Sequence, residues 1–356
     1  MSSKFKILSI DGGGLKGLIP LQVIKEIERI TKQPIHETFD LIAGTSTGGL
    51  LTCALLLQEH SIEANKRKYT LEQIENIYLE KGKIIFPRYN HFKGLYMHTR
   101  KWIRPMYFSE NYEKVLNEYF ADYRITSCLK PIFITSYDIH RNIPIFFTRR
   151  EANRLYENNA RLVDICKATS AAPTYFPTHT FIYNGESIIC IDGGLIMNNP
   201  ALGALIEVLS NNAYVHYKIG GIKKPEFKDI MVLSLGTGIS SKLFQSQSAK
   251  NWGRLQWIKK VIDISMDAPV TIVHDQLDTI FNSMGLEKNY LRINVEIDKK
   301  YAEMDDSREE TLNHYLHKAR SRIKNDKTLK ANLKDFFEEC GFVIHNEEEE
   351  EKIPKA

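Results

Sequence analysis

The sequence predicts an α/β fold built around a central, mostly parallel sheet. Short apolar runs that indicate buried strands alternate with segments whose apolar residues recur at helical spacing. Glycine-rich turns directly follow four of these runs, and they begin at Gly12, Gly44, Gly193 and Gly236. Since the carboxyl ends of parallel strands meet at one edge of a sheet, we expect the four turns to border one ligand crevice.

The first turn joins a strand over 4–10 to an amphipathic helix and has the sequence Asp-Gly-Gly-Gly-Leu-Lys-Gly at 11–17. Backbone amides in such a turn, at the N-terminus of a helix, can bind an anion or an oxyanion. The glycines also match the dinucleotide-binding fingerprint, but that fingerprint needs an acidic residue at the end of the second strand, where residues 44–46 are Gly-Thr-Ser. Leu18 stands where a nucleotide P-loop has its lysine, which argues against that motif too.

The second turn carries the candidate nucleophile. The pattern Gly-x-Ser-x-Gly, with Gly44, Ser46 and Gly48, lies between an apolar strand over 39–43 and an apolar helix over 50–57. This is the sequence form of a nucleophile elbow, in which glycines permit a strained strand-to-helix turn that presents the serine hydroxyl. Taken alone, the pattern fits an ordinary glycine-rich turn as well.

The elements that follow continue the alternation. Further strands are predicted over 131–137, 143–148, 187–191, 229–235 and 290–295, and the first two should form a hairpin. Further helices are predicted after a capping box at Thr70 and Gln73, after an N-cap at Ser109, over 163–170, after Asn198-Asn199-Pro200, over 252–284 with a break near Pro269, and as a pair within 307–340.

Residues 83–108 differ in character from the rest of the chain. They contain six basic and seven aromatic residues and no acidic residue. Such a stretch can act as a lid or attract anionic head groups while its aromatic rings settle at a membrane interface. It can equally be a long surface excursion whose aromatic rings fold back onto the core.

Composition limits the functional classes. The chain of 356 residues is 43% apolar and has no run long enough to span a membrane. Its five cysteines are never spaced as Cys-x-x-Cys, which favours reduced thiols, a cytoplasmic location and no zinc site. The last ten residues hold five Glu and two Lys, so the remaining 346 residues carry a net charge of +7. This charge suits an anionic membrane surface without requiring one, and no motif points to nucleic acid.

The third turn supplies a candidate base. Asp192 follows the strand over 187–191 and precedes two glycines, although Asp-Gly at a strand end is also a common turn former. A conventional triad would need a histidine after Asp192. None of the histidines there lies in a glycine-rich turn; they are His216, His274, His314, His317 and His345. His274 is the best of them but falls in a predicted helix, so we expect a Ser46–Asp192 dyad.

Four motifs together resemble those of the patatin-like phospholipases. They occupy 11–17, 44–48, 168–173 (Ala-Thr-Ser-Ala-Ala-Pro) and 192–194, and the resemblance extends from about residue 4 to residue 238. It implies a three-layer α/β/α fold with a modified hydrolase-like elbow. It also implies a lipid acyl hydrolase with Ser46 as nucleophile and Asp192 as base, and with no metal or other cofactor.

The resemblance further implies which residues support the reaction. The oxyanion hole is assigned to Gly12, Gly13, Gly14 and Thr47, with the amides of Gly13 and Gly14 as its main donors. The supporting positions are Lys16, Gly44, Gly48, Gly193 and Gly194. The family commonly has arginine where Lys16 stands, and lysine keeps the charge but loses the planar fork for bidentate binding.

The implied reaction is cleavage of fatty-acyl esters of membrane glycerophospholipids, of phospholipase A or lysophospholipase type. An acyltransferase and a non-catalytic lipid-binding or storage protein stay open as alternatives, and a nicotinamide or flavin enzyme is the weakest. Some bacterial members are effectors, activated by cyclic nucleotides in anti-phage signalling or injected into host cells. A small-molecule activator, a homodimer and secretion therefore also stay open.

The expected organisation is a catalytic domain over 1–300, a helical extension over 301–346 that packs on it, and an acidic tail over 347–356. The expected location is cytoplasmic, peripheral at a phospholipid membrane surface.

Overall fold

A computed structural model of the chain describes residues 4–59, 65–88, 104–210, 225–240, 250 and 252–345. Its centre is one sheet of eight strands in the order β5-β6-β3-β2-β1-β7-β8, with β4 paired to β3. The strands are β1 Phe5–Ile10, β2 Leu41–Gly44, β3 Ile132–Asp138, β4 Ile143–Thr148, β5 His179–Tyr183, β6 Glu186–Asp192, β7 Ile230–Leu235 and β8 Tyr290–Ile293. Strands β3, β2, β1, β7 and β8 run parallel, whereas β4, β5 and β6 pair antiparallel.

Helices flank this sheet and connect its strands. They are α1 Leu18–Thr31, α2 Ile35–Thr38, α3 Thr47–Leu56, α4 Leu71–Asn76, α5 Gly82–Ile85, α6 Ser109–Phe120, α7 Arg149–Arg154, α8 Leu162–Thr169, α9 Gly194–Met197, α10 Ala201–Leu209, α11 Arg254–Ser283, α12 Glu309–Asn325 and α13 Lys327–Glu339. A π-helical turn, Ile77–Lys81, joins α4 to α5. None of the helices in the described part of the chain combines the length and the apolarity that a membrane span needs.

Alternate residues of the central strand β1 point into two different helical layers. Ile7 belongs to a core cluster with residues of α10 and α11. Leu8 and Ile10 belong to the larger cluster on the other face, which includes residues of α1, α3, α6 and α8. The period of two along a strand thus places one helical layer on each face of the sheet. The predicted three-layer α/β/α fold with a mostly parallel sheet is confirmed.

Several local predictions are also confirmed. The side chain of Thr70 caps α4 and Gln73 returns the bond, which makes the predicted capping box. The predicted hairpin forms, with β3 and β4 paired in register from Phe133–Thr148 to Asp138–Ile143.

Two local predictions are wrong. Pro269 does not end its helix, since α11 continues from Arg254 to Ser283; the packing of a long helix can offset the lost N–H donor and the steric clash that an interior proline brings. Ser109 begins α6, and Phe108 occupies the N-cap position instead. Strand β5 was not predicted; its alternating exposure is typical of an edge strand, and it pairs with β6.

The two ends of the aromatic stretch 83–108 lie near the crevice. Phe86 and Tyr107 pack with Tyr175 and Phe176. The amide of Tyr107 also donates to the Tyr175 carbonyl oxygen at 2.9 Å. Residues 89–103, where most of the predicted lid would fall, lie outside the described residues.

Candidate active site

The turn between β2 and α3 holds Ser46 in a strained conformation, with φ 53° and ψ −119°. The two flanking glycines are required by close backbone packing. A Cβ on Gly44 would lie well inside van der Waals contact with the Gly48 carbonyl, and one on Gly48 would do the same against the Ile10 carbonyl. The chain thus makes the sharp turn by which an elbow presents its nucleophile.

Hydrogen bonds to residues of α8, β3 and α9 hold the strained turn. The Ser46 amide donates to Thr169 Oγ1 at 2.8 Å, at the end of α8. Thr45 Oγ1 lies 2.7 Å from Thr135 Oγ1 on β3 and 2.7 Å from the Met197 carbonyl oxygen. Because these partners come from distant parts of the sequence, the tertiary fold fixes a conformation that the local chain would not choose.

Ser46 and Asp192 meet across the end of the sheet. The Ser46 hydroxyl donates to Asp192 Oδ2 at 2.8 Å, and both residues are buried, with 7% and 1% of their surface exposed. The other oxygen, Asp192 Oδ1, accepts the Gly194 amide at 2.7 Å. A side chain on Gly193 would collide with the Thr135 backbone, so glycine there lets the turn after β6 lie close to β3. The carboxylate is thereby aimed at the hydroxyl.

Burial sets the proton affinity of Asp192. Desolvation raises the pKa of this carboxyl from 3.8 to about 7, against the opposing hydrogen bonds from Gly194 and Ser46. A carboxylate with a pKa near neutrality is a better proton acceptor than an ordinary aspartate and can also return the proton.

The glycine loop after β1 supplies unpaired amides beside Ser46. Within the described residues, the amides of Gly13, Gly14 and Thr47 have no hydrogen-bond partner. The Gly12 amide donates to the Asn198 carbonyl oxygen at 3.1 Å, so Gly12 does not present a free donor to the predicted oxyanion hole. Gly12 acts through its size instead, since a Cβ there would lie 3.2 Å from Ser46 Cβ and collide with Asn198.

Two contacts hold this loop in place, and no sequence motif predicts either of them. Asp11 forms a bidentate ion pair with Arg292 on β8, and Arg292 also donates to Ser234 Oγ at 2.7 Å. The Leu15 amide donates to the Met304 carbonyl oxygen at 2.8 Å. Gly14 has φ +60°, and a Cβ there would collide with that same carbonyl, so the loop needs glycine for its shape as well as for access.

An apolar cleft of about 880 Å³ opens onto the nucleophile. Ser46, Thr47, Gly14 and Asp192 lie along its wall. The rest is mainly aliphatic and aromatic, and includes Leu50, Leu51, Ala54, Ile74, Leu116 and Phe120. Phe86, Tyr175 and Phe176 also line it. Its lining is typical of a site for a hydrophobic ligand.

Lys16 lies apart from the apolar cleft. It lines a second, polar cleft on the other side of the glycine loop, together with Asp11, Gly12 and Gly13. Thr47, by contrast, lies in the apolar cleft, where its hydroxyl is 2.7 Å from that of Tyr78.

No histidine within the described ranges contacts Ser46 or Asp192. His274 Nδ1 lies 3.1 Å from the Tyr290 hydroxyl, and His314 Nε2 accepts the Asp298 amide. His216 falls outside the described residues. The part of the chain that the structure covers also holds no group of three or more His, Cys, Asp or Glu side chains placed for a metal ion.

The sequence of the chain is similar to those of one known protein family. The family model described as patatin-like phospholipase matches residues 8–205, a range that contains Ser46, Asp192 and the glycine loop. Patatin-2-Kuras 3 from Solanum tuberosum is 33% identical over 323 residues, which cover 86% of this chain and 80% of that protein. Patatin-T5 from the same plant is 30% identical over 353 residues, which cover 93% of this chain and 88% of that protein.

Among solved structures, VipD from Legionella pneumophila aligns with 90% of this chain and 67% of its own. Its identity of 11% and TM-score of 0.34 are too low to support an inference.

The raised pKa of Asp192 predicts a pH-dependent cost to stability. The folded protein binds a proton at this carboxyl up to about pH 7, whereas the unfolded chain releases it near pH 3.8. The free energy of unfolding should therefore fall as the pH rises through that window. We expect Asp192→Asn to be more stable than the wild type at pH 8 and to lose this advantage by about pH 4. Chemical denaturation at both pH values measures the difference.

The matched control for that experiment is Asp275→Asn, which removes an exposed carboxylate of α11. It should shift stability little at either pH. An Asp192→Asn protein that gains nothing at pH 8 would contradict the burial cost assigned to Asp192.

The ion pair beneath the glycine loop predicts a large loss on removal of one partner. The side chains of Asp11 and Arg292 are only 2% and 7% exposed. Arg292→Met leaves a buried carboxylate without its partner, which should cost about 3–5 kcal/mol of unfolding free energy. Adding Asp11→Asn should restore part of the loss, because the uncompensated charge is gone. Urea denaturation of the three proteins tests this, and wild-type stability in Arg292→Met would refute it.

Proposed function

This chain belongs to the patatin-like phospholipase family, and from that premise we propose that it cleaves fatty-acyl esters of membrane glycerophospholipids through a Ser46–Asp192 dyad. Family membership supports the broader activity, that of a lipid acyl hydrolase. The observation that carries the finer proposal is the 2.8 Å hydrogen bond from Ser46 Oγ to Asp192 Oδ2, at the wall of an apolar cleft.

In the first half of the proposed reaction, Ser46 Oγ attacks the ester carbonyl carbon while Asp192 takes the hydroxyl proton. The carbonyl oxygen becomes an oxyanion, which the amides of Gly13, Gly14 and Thr47 stabilise. Thr47 is the first residue of α3, so the positive end of that helix dipole adds to the effect. The intermediate collapses to an acyl-Ser46 ester, and the alcohol leaves with the proton from Asp192.

In the second half, a water molecule attacks the acyl-Ser46 carbonyl carbon. Asp192 takes a proton from the water, the same amides hold the oxyanion, and the fatty acid leaves as Ser46 recovers its proton. The acyl chain occupies the apolar cleft throughout. Burial of its methylenes contributes about 0.8 kcal/mol each, which favours long-chain over short-chain esters.

The membrane contact is proposed to lie on α11. Trp257, Val261, Ile264 and Ile272 are between 42% and 54% exposed, and their spacing places them on one face of this helix. Trp252 packs edge-to-face against Trp257, with ring centroids 5.2 Å apart, and the Lys260 ammonium lies 5.9 Å from the Trp252 ring.

Tryptophan and lysine beside an apolar stripe are typical of helices that lie in a lipid interface. The opposite face of α11, with Asp263 and Met266, lines the polar cleft. An enzyme docked through the exposed face would hold the polar cleft about 10–12 Å from the interface, the diameter of one helix. This supports a peripheral location at the membrane surface.

The dyad predicts that Ser46→Ala and Asp192→Asn each lower hydrolysis of a soluble ester on the order of ten-thousand-fold. The double variant should be no worse than either single one, because the two residues act as a unit. In the wild type, kcat/KM should fall about tenfold per pH unit below pH 7, as the Asp192 carboxylate becomes protonated. A serine-directed phosphonate should label Ser46.

The control is His274→Ala, which changes a histidine that contacts Tyr290 rather than the dyad. It should keep most of the activity. An inactive His274→Ala protein together with an active Asp192→Asn protein would replace the dyad with a triad.

The α11 stripe predicts a variant that loses membrane affinity. Val261→Ser with Ile264→Ser removes apolar surface that would enter the interface, so partitioning into phospholipid vesicles should fall about tenfold or more. Sedimentation with vesicles, in an Ser46→Ala background that leaves the lipid intact, measures this. The matched control is Ile182→Ser with Val343→Ser, which removes two side chains that are 64% and 76% exposed elsewhere on the surface. Equal losses for both pairs would contradict the assignment of α11 as the docking face.

A further inference from the structure

A second cleft, of about 1030 Å³, lies across the glycine loop from the acyl cleft and differs from it in chemistry. We propose that this polar cleft binds the alcohol half of the lipid and selects head groups that carry a positive charge beside the phosphate over head groups that are only anionic. The proposal rests on the hydrolase function proposed above and names the substrate class of that same site.

The position of the polar cleft fits the geometry of an ester. Tyr175 and Met304 line both clefts, and the glycine loop lies between them with Gly14 on the acyl side and Gly12 and Gly13 on the polar side. An ester bound with its carbonyl oxygen at the loop amides has its acyl half in one direction and its alcohol half in the other. With the acyl half in the apolar cleft, the polar cleft is the available space for the alcohol half.

A buried acceptor in this cleft indicates a ligand with a hydrogen-bond donor. Asn198 is only 5% exposed, and its Oδ1 has no partner among the described residues. Its Nδ2 donates to the Met266 carbonyl oxygen at 2.9 Å, which fixes the orientation of the amide, because the reverse would set two oxygens against each other. A buried acceptor without a donor costs free energy, so a donor delivered by the substrate would be favoured.

This acceptor lies close to the nucleophile. A Cβ built on Gly12 would collide with Asn198 Oδ1 and lie 3.2 Å from Ser46 Cβ. One built on Gly194 would be 3.0 Å from both Asn198 Oδ1 and Asp192 Oδ1. The donor is therefore a group near the ester: the free glycerol hydroxyl of a lysophospholipid, or the ammonium of an ethanolamine head group folded back towards it.

The charges of the cleft indicate which head groups enter. Its lining includes the carboxylates Asp263 and Asp267, whereas the carboxylate of Asp11 is already neutralised by Arg292. Two carboxylates repel a head group whose only charge is a negative phosphate and attract an ammonium beside that phosphate. The combination matches a zwitterionic phospholipid.

The test uses short-chain lipids dissolved as monomers, so that attraction to a charged membrane surface does not enter. Four lipids separate the contributions: dihexanoyl phosphatidylcholine, phosphatidylethanolamine and phosphatidylglycerol, and a short-chain lysophosphatidylcholine. The kcat/KM for each is divided by that of the same protein on p-nitrophenyl butyrate. The proteins are wild type, Asp263→Asn with Asp267→Asn, Asn198→Ala, and the control Asp275→Asn on the same helix outside the cleft.

The wild type should prefer phosphatidylcholine to phosphatidylglycerol, and the double Asp variant should reduce that preference by about two- to fivefold per carboxylate. Asp275→Asn should leave it unchanged. Asn198→Ala should lower the relative rate for the lipid that supplies the donor, either lysophosphatidylcholine through its hydroxyl or phosphatidylethanolamine through its ammonium. Diacyl phosphatidylcholine, which supplies neither, should change less.

Three results would overturn the proposal. One is equal use of phosphatidylglycerol and phosphatidylcholine by the wild type, and another is the same response to Asp275→Asn as to the double variant. The third is an equal loss on all lipids in Asn198→Ala. In each case the protein still cleaves p-nitrophenyl butyrate, so the hydrolase function survives. A protein that cleaves no ester at all would end both proposals.

Discussion

The close packing of two turns is the constraint on which the site depends. The Ser46 turn is so tight that Gly44 has no room for a Cβ beside Gly48, and it lies so close to the end of β1 that Gly48 has no room for one either. The same approach places Gly12 against Ser46, and among the described residues the amides of Gly13, Gly14 and Thr47 have no hydrogen-bond partner. Donors preorganised in this way stabilise an oxyanion without having to reorient during the reaction. Glycine is thus required at these positions because a Cβ would clash. The space left by the missing side chains is what lets an ester approach the amides.

Burial raises the pKa of both buried carboxyls of the site, Asp11 and Asp192, but the two have different partners. Asp11 is buried with a bidentate partner, Arg292, so its charge is compensated and the pair anchors the glycine loop to β8. Asp192 is buried without a cation among the described residues, where the Gly194 amide and the Ser46 hydroxyl are its hydrogen-bond donors, so its pKa rises to about 7. The Asp11 carboxylate is therefore structural and the Asp192 carboxylate is a candidate base, because the two have different hydrogen-bond partners.

The sequence was informative where function depends on a local pattern. The fold class and the family follow from glycine turns at strand ends. Ser46 and Asp192 meet for a different reason from the one expected, since β6 runs antiparallel to β3. Its register pairs Asp192 with Ser136, two residues along β3 from the partner of Gly44. Arg292 could not be found in this way, since it lies 281 residues from Asp11 and stands in a short strand without any motif. The hydrogen bond of the Gly12 amide depends on a contact between two loops, and so does the Asn198 side-chain oxygen that has no partner among the described residues. The spacing of residues in the sequence does not predict such a contact. The prediction of a break at Pro269 was wrong because the packing of a 30-residue helix can offset the lost hydrogen bond and the clash of one proline.

Helix α11 connects the two halves of the proposed function. Its inner face contributes Asp263, Met266 and Asp267 to the polar cleft, and the Met266 carbonyl orients Asn198. Its outer face carries the exposed stripe of Trp257, Val261 and Ile264. A helix is rigid over this distance, so a surface that binds the outer face also fixes where the inner face lies relative to the glycine loop. Membrane docking and head-group selection would then be coupled through one element, and the charge of the inner face would decide which of the lipids beneath the enzyme reaches Ser46.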